Sequence, residues 1–544
     1  MIEEKKTRIA DNILTNIKAE PSAVRHYMAM YAVCEDMENS PAKWRYTGEL
    51  KRYCAELLTH NNSAEIMQLF RAVLLMEAKG LRFDSYMQYI ELLREPEKRF
   101  WIPRRNQLYG VASAVQDLVD DKLDILSISL PPGTGKSTLE IFLHSMMIGA
   151  FPDNCSLASG HSGTLTGSIY DGVLEIINDP EYLWKDVYPT AGDIITNAKE
   201  QTIDIGKRHR FSSLTCRAIG ASLTGATRCE KLLTADDLVS GIEEALSFDR
   251  LAKLWTEYTN DLKSRKKLGC KELHLATRWS VHDPIGKLKE MYSGDSKARF
   301  LVVPAIDENG ESNFNYRYGV GFDRKYFEDM KNNLDDCSWR ALYMNQPIER
   351  EGLLYSEDEL ERYFDLPSEE PDAIISVCDT KDKGSDYCVM PIAYQYGNKF
   401  YIEDIVCDNG NPEIVQMRLV EKLIYHKVKL SRFESNSAGG KVAEIVQKEV
   451  LSRGGITKIV TKYSTANKVT RMIVDSPFVK QHFLFKDNSV IKNNKEYKAA
   501  LGMLCGYTMS GKNPHDDVPD AFSMLADFIQ SFETMQVKIM ARPY

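Results

Sequence analysis

Leu130-Pro131-Pro132-Gly133-Thr134-Gly135-Lys136-Ser137-Thr138 is the stretch from which the rest of this chain is best read. The apolar run Leu123–Leu130 leads into it, and the helix-like Leu139-Glu140-Ile141-Phe142-Leu143-His144 follows. A strand, a glycine-containing turn and a helix start are what a triphosphate needs. Backbone N–H groups and the helix dipole face the phosphates, and Lys136 adds a point charge. Gly133, Thr134, Gly135, Lys136, Ser137 and Thr138 are therefore candidate ATP-binding residues, with Ser137 within reach of Mg²⁺. The first glycine of the usual pattern is Leu130 here. Without its flanks the stretch also reads as an ordinary glycine-rich turn.

A nucleotide site of this kind needs a second carboxylate site. The strand-like Lys231-Leu232-Leu233-Thr234-Ala235 ends in Asp236-Asp237, about 100 residues after Lys136. Asp236 is the candidate metal holder and Asp237 the candidate for polarising the attacking water. Alone, the two acids also suit a helix N-cap before Leu238. Thr277 ends the next strand, where a hydroxyl can sense the γ-phosphate or simply serve as a β-branched strand residue. Phosphoryl transfer also favours an arginine, for which Arg228 and Arg278 are the candidates. Gln107, upstream, either touches adenine or faces solvent.

A second constellation lies further on. Asp379 ends the strand-like Ile374–Asp379, Glu434 ends a later strand, and His515-Asp516-Asp517-Val518-Pro519-Asp520-Ala521 opens the last long helix. Proline is tolerated in a first helical turn. Asp517 and Asp520, three apart, share a helix face. Acids from two strand ends and one helix start suit oxygen-loving divalent ions. Two such ions activate water and stabilise the leaving oxygen in phosphodiester hydrolysis. Singly, Asp379 also reads as a turn residue, Glu434 as a surface acid and Asp517 as an N-cap. Asp386, Asp404 and Asp516 are candidate outer acids.

With 544 residues, 43% apolar and 27% charged, the chain is a globular protein of about two or three domains. No apolar run approaches the roughly 18–20 residues that span a bilayer. The N-terminus, Met-Ile-Glu-Glu-Lys-Lys-Thr, lacks a signal-peptide apolar region, so the chain is expected to stay in the cytosol, without a membrane partner. Eleven scattered cysteines with no Cys-x-x-Cys pair argue against a disulfide framework or structural zinc. The net charge of −9 removes a global basic field. Nucleic acid would have to meet local basic clusters: Lys207–Arg210, Lys263–Lys267 or Lys427–Arg432. Each of these equally suits a solvated face.

Residues 1–95 carry helical periodicity, as in Ala64–Met76, and no visible chemistry. Over 96–345 short apolar runs alternate with helical patterns, the signature of a mainly parallel sheet. Residues 346–370, rich in Pro, Glu and Asp, read as a linker. From 371 to 544 the pattern restarts with a strand, then a hairpin across Gly397-Asn398, then alternating helices and strands.

In this order the motifs resemble the large terminase subunit of tailed bacteriophages, the DNA-packaging ATPase-nuclease. Pro131–Thr138 is similar to its Walker A, and Gly220–Gly225 with Leu232–Asp237 to its approach to Walker B. Thr277-Arg278-Trp279 with Asp283 is similar to its coupling motif, and Asn345–Tyr355 to the segment joining its domains. Asp379, Glu434 and Asp517/Asp520 match its nuclease motifs, and Thr465–Arg471 its intervening basic helix start. Leu130 and Asp237 depart from it, where Gly and Glu are common. The resemblance covers about 96–530. It implies an α/β fold with a helical N-terminal region, a P-loop (ASCE-type) ATPase domain with a mainly parallel sheet, and an RNase H-like nuclease domain. It also implies ATP with Mg²⁺ at the first site, and Mg²⁺ or Mn²⁺, as two ions, on Asp379, Glu434, Asp517 and Asp520. The implied partners are double-stranded DNA, a portal protein, a small terminase subunit and further copies in a ring. The implied place of work is the cytoplasm of an infected bacterial host, docked on a procapsid, with the protein absent from the mature virion. A helicase-nuclease of repair or defence is the alternative enzyme, and a DNA-binding scaffold with a dead P-loop the non-catalytic one.

Overall fold

Apolar runs that sequence patterning marks as strands assemble into two sheets. The structure is a computed structural model. It describes every residue except Met1, 61–62, 222–226, 246, 335, 348–352, 381–385, 436–438, 464–466, 493, 510–512, 514 and 540–544, and leaves aside the side chains of 243, 248, 336 and 533–539. The chain divides into two units, residues 1–328 with 340–347, and 329–339 with 348–544.

In the first unit, helices Ile2–Ala19, Val24–Asp36, Pro41–His60 and Ala64–Lys79 bury a shared core, including Ile17, Tyr27, Met30, Leu50 and Val73, and the helix Phe83–Ile90 follows. They are tied to the next helix, Trp101–Val119, by buried charge. Asp84 accepts from Trp101 Nε1 at 2.8 Å and Arg105 Nε at 2.7 Å. Glu91 caps that helix start, accepting from the backbone N–H of Phe100 at 2.7 Å and of Trp101 at 2.9 Å.

Eight strands follow: β1 (Ile125–Ser129), β2 (Ser156–Gly160), β3 (Asp193–Asn197), β4 (Thr202–Gly206), β5 (Leu214–Ala218), β6 (Leu232–Asp236), β7 (Lys271–Ala276) and β8 (Ala298–Val302). Their order is β3-β4-β5-β2-β6-β7-β1-β8, parallel from β5 to β8 with an antiparallel edge at β3 and β4. β1, β2 and β6 are buried along their whole length, as expected of parallel strands covered on both faces. β7 lies between β1 and β6, so the ends of these three strands come side by side (Ser129 pairs with Ala276, Leu275 with Asp236).

In the second unit the segment read as a linker contributes a strand of its own, β9 (Glu361–Tyr363). The others are β10 (Ala373–Cys378), β11 (Cys388–Tyr396), β12 (Lys399–Asp408), β13 (Leu430–Glu434), β14 (Lys458–Lys462) and β15 (Phe483–Lys486). Their order is β14-β13-β10-β11-β12-β15-β9. β10, β11 and β12 form an antiparallel meander that turns at Gly397-Asn398, where Gly397 takes φ +61°. β13 and β14 then add in parallel beside β10. Helices Pro412–Tyr425 and Gly439–Ser452 cover one face over Met390, Ile392, Val406 and Phe433. Among the described residues, no helix is long and apolar enough to cross a membrane.

Candidate functional sites

The glycine turn sits between β1 and helix Lys136–Ala150. Gly135 takes φ +109°, a conformation side chains avoid, and a Cβ there would lie 2.9 Å from Phe100 Cε2. Gly133 takes φ +74°, with the Phe322 ring 3.1 Å from the Cβ position. Thr134 Oγ1 donates to Pro131 O at 2.8 Å, and Tyr316 OH donates to Thr134 O at 2.9 Å. Arg104 lies over the Phe100 and Tyr316 rings, 4.8 and 5.0 Å from their centroids. These neighbours of the turn belong to no motif, and spacing gave no signal for them.

Lys136 is buried and donates to Leu130 O at 3.0 Å, Pro131 O at 3.3 Å and Thr277 Oγ1 at 2.7 Å. Its Nζ is also 3.8 Å from Asp237 Oδ2. Asp237 Oδ1 accepts the Thr277 backbone N–H at 2.6 Å, so Thr277 joins the lysine to the acid. Ser137 Oγ donates to Asp236 Oδ2. Burial, then the neighbouring Glu140 and Asp237 carboxyls, push the Asp236 carboxyl well above its ordinary range. Its Oδ1 is buried with no hydrogen-bond partner among the described residues. A buried acid with an unused oxygen beside a serine hydroxyl is a donor set that suits Mg²⁺. Below it Thr234 Oγ1 bonds to Glu140 and to His144 Nε2, the latter at 2.8 Å. Burial raises the Glu140 carboxyl and lowers His144 to about 3.

Neither arginine candidate is brought to the turn. Arg278 is buried and ion-paired with Asp283 at 2.8 Å, and it also donates to Ser280 O at 3.2 Å. Asp283 in turn caps the helix Pro284–Met291. Arg228 precedes β6, at the end of that parallel strand opposite Asp236, and lies over the Phe211 ring at 4.8 Å. Gln107 donates to Asn315 O at 3.0 Å. Of Gly220–Gly225, residues 222–225 lie outside the described residues, as do 348–352 of the joining segment and 465–466 of the basic helix start.

In the second unit β10 and β13 pair in parallel with Cys378 opposite Phe433, so Asp379 and Glu434 come next to each other. Asp520, in the first turn of helix Asp517–Ile539, completes a trio whose ligand oxygens all lie within 4.8 Å of one another. Asp517 is not in that trio. It accepts the Tyr387 backbone N–H at 3.1 Å. Asp516 lies 3.0 Å from Lys468, whereas Asp404 is held by Lys422 and His426. Burial holds the Asp379 carboxyl well above its ordinary range, and Asp520, Glu434 and Asp517 push the same way against Lys468. Asp379 Oδ2 and Asp520 Oδ2 are buried and accept no hydrogen bond among the described residues. Three converging carboxylates with such oxygens fit divalent cations.

Lys468 lies among these acids. Its Nζ is 3.8 Å from Asp379, 3.9 Å from Asp517 and 3.3 Å from Asp520. Arg471, one turn on, pairs with Asp520. Asn467 caps their helix, Lys468–His482, through the Thr470 N–H. Sequence reading singled out the basic segment but gave neither residue a role. The three-residue spacing of Lys468 and Arg471 after a capping asparagine was the available signal.

No family model and no curated protein matches the chain. Solved structures resemble it distantly. The large terminase of a thermophilic bacteriophage aligns with 76% of this chain and 95% of its own at 10% identity, with a TM-score of 0.45. The human cytomegalovirus terminase nuclease domain covers 32% of this chain and 95% of its own at 12% identity and a TM-score of 0.25. The Phi-28 gp11 DNA packaging motor covers 76% and 96% at 9% identity, also at 0.25.

Proposed function

We propose that this chain is a viral DNA-packaging motor subunit of the large-terminase kind, an ATPase and a DNA endonuclease on one polypeptide. In this reading residues 96–345 form the P-loop ATPase domain and 371–544 an RNase H-like nuclease domain. Residues 346–370 join them, and helical region 1–95 precedes them. One observation carries it: a phosphate-shaped turn wired to Asp236, Asp237 and Thr277 in one unit, and three converging carboxylates in the other. The strand orders agree with it. A strand lies between β1 and β6, and a three-stranded meander is extended by two parallel strands.

At the first site the turn N–H groups and Lys136 bind the phosphates of ATP, Ser137 and Asp236 hold Mg²⁺, and Asp237 orients water. The ion supplies charge neutralisation for phosphoryl transfer when bound. Thr277 reports on the γ-phosphate through its bond to Lys136. At the second site Asp379, Glu434 and Asp520, with Asp517 adjacent, hold two Mg²⁺ or Mn²⁺ ions. These ions supply activation of water and stabilisation of the leaving oxygen when bound. ATP hydrolysis would drive double-stranded DNA into a procapsid, and the nuclease would cut the concatemer. The partners in this reading are a portal protein, a small terminase subunit and further copies of the chain in a ring. It works in the infected host's cytoplasm and is left out of the finished virion.

The test is a pair of variants assayed side by side. Lys136→Ala is expected to lower ATP turnover by about 10²–10³-fold or more and to keep metal-dependent plasmid cutting. Asp379→Ala is expected to do the reverse. ATP turnover surviving Lys136→Ala, or cutting surviving Asp379→Ala, would remove that half of the reading.

A further inference from the structure

A cavity of about 370 Å³ opens beside the carboxylate trio, with Glu434 on its wall. Arg432, Lys462, Tyr463 and Arg471 line it as well, from the ends of β13 and β14 and the helix Lys468–His482. Its size is near the lower end of ligand pockets, roughly 300–1,000 Å³. That is room for one nucleotide and not for stacked base pairs.

Its chemistry is that of a phosphate with a base attached. Arg432 and Lys462 share a single carboxylate, Asp527, each at 2.7 Å, while Arg471, Glu434 and Asp475 complete the charged lining, so basic and acidic side chains alternate around the cavity. Arg432 is only 5% exposed, and its Nε is buried without a hydrogen-bond partner among the described residues. The Arg432 side chain lines the cavity, and a guanidinium on a cavity wall is a donor suited to a phosphate oxygen. Lys462 is about half-exposed, so its ammonium is free to turn toward an incoming anion. At the rim Tyr463 is 67% exposed, an aromatic face of the kind on which unpaired bases stack.

We propose that this cavity takes one unpaired nucleotide of the strand being cut. Its phosphate meets Arg432 and Lys462, and its base lies against Tyr463. The inference rests on the nuclease reading and adds a substrate preference to it. The enzyme pulls a nucleotide out of the duplex next to the cut, so it favours places where unpairing costs least.

The experiment uses the full chain, Mn²⁺ and an end-labelled duplex carrying one central mismatch. Wild type is expected to cut at the mismatch about tenfold more often than at paired positions. Lys462→Glu and Tyr463→Ala, both exposed and checked for native melting, are expected to bring that ratio to near one. The ratio is read within one lane, so total activity does not enter it. Uniform cutting by wild type, or a preference kept by both variants, would overturn the cavity assignment and leave the nuclease standing. Cutting by Asp379→Ala would instead strike the nuclease reading itself.

Discussion

Lys468 stands where a cation is wanted, and Lys468→Ala measures what that costs. Its ammonium is within 4 Å of four carboxylates, at 3.0 Å from Asp516, 3.3 Å from Asp520, 3.8 Å from Asp379 and 3.9 Å from Asp517. One such pair at 4 Å is worth about 4 kcal/mol of Coulomb energy at an effective dielectric of 20, before desolvation. The lysine side chain is 36% exposed, so screening pulls the net value toward the lower figure of about 1 kcal/mol for surface pairs. Removing it should destabilise the metal-free protein by about 1–3 kcal/mol, between the exposed and fully buried limits. The thermodynamic cycle then returns that energy when metal binds, as an affinity about 5–150-fold higher. Titrating Mn²⁺ into chelator-stripped wild type and Lys468→Ala by calorimetry, with melting points in parallel, reads both arms. A variant that melts like wild type without metal and binds Mn²⁺ no more tightly would refute the idea that lysine and metal compete for the same oxygens.

Other outcomes follow from single positions. Gly135→Ala adds a Cβ 2.9 Å from the Phe100 ring at φ +109°. Left-handed strain of about 1–2 kcal/mol plus overpacking of about 1–3 kcal/mol should weaken binding of a fluorescent ATP analogue at least tenfold. Gly502→Ala, in an open helical position, should be silent or slightly stabilising. Burial raises the Glu91 carboxyl to about 6 from 4.5. The folded protein then keeps a proton the unfolded chain has lost, so stability falls as pH rises from about 4.5 to 6 and levels off above. The drop is about 2 kcal/mol at 1.36 kcal/mol per unit. Urea unfolding of wild type and Glu91→Gln across that range should show the drop only in wild type.

Strands buried on both faces are among those legible in the sequence, beside the hairpin strands that flank Gly397-Asn398. Ile125–Ser129 and Leu232–Asp236 are buried along their whole length and mostly apolar, as expected of parallel strands covered on both faces. β8, a half-exposed edge strand with Arg299 in it, mixes polar and apolar residues and gave no clean run. β9, three residues long, is too short for any period to show inside a segment rich in acids and proline. The acids of the second site were visible because each ends a strand or opens a helix. Which aspartate completes the trio was not visible, because Asp517 is diverted by the backbone of Tyr387, 130 residues away. The arginine candidates are held away from the glycine turn for a similar reason. Sequence adjacency put Arg278 next to Thr277, but Asp283 captures its guanidinium, and Arg228 stands at the wrong end of its strand. Phe100, Arg104 and Phe322 meet the glycine turn only through folding.

The shortest of Lys136's three hydrogen bonds ends on Thr277, and the backbone N–H of that same threonine holds Asp237. A lysine that turns toward an arriving phosphate must loosen its hold on that hydroxyl. On the ATPase reading proposed above, loading would then be felt at the end of β7 before any bond in the nucleotide breaks. The residues that follow, Arg278 to Asp283, are locked to one another and to the start of the helix Pro284–Met291. They form a stiff lever rather than a slack loop. On that same reading, a displacement of a fraction of an ångström at one hydroxyl would arrive at that helix as a rigid push, so that the arrival of nucleotide, and not only its hydrolysis, would be a mechanical event.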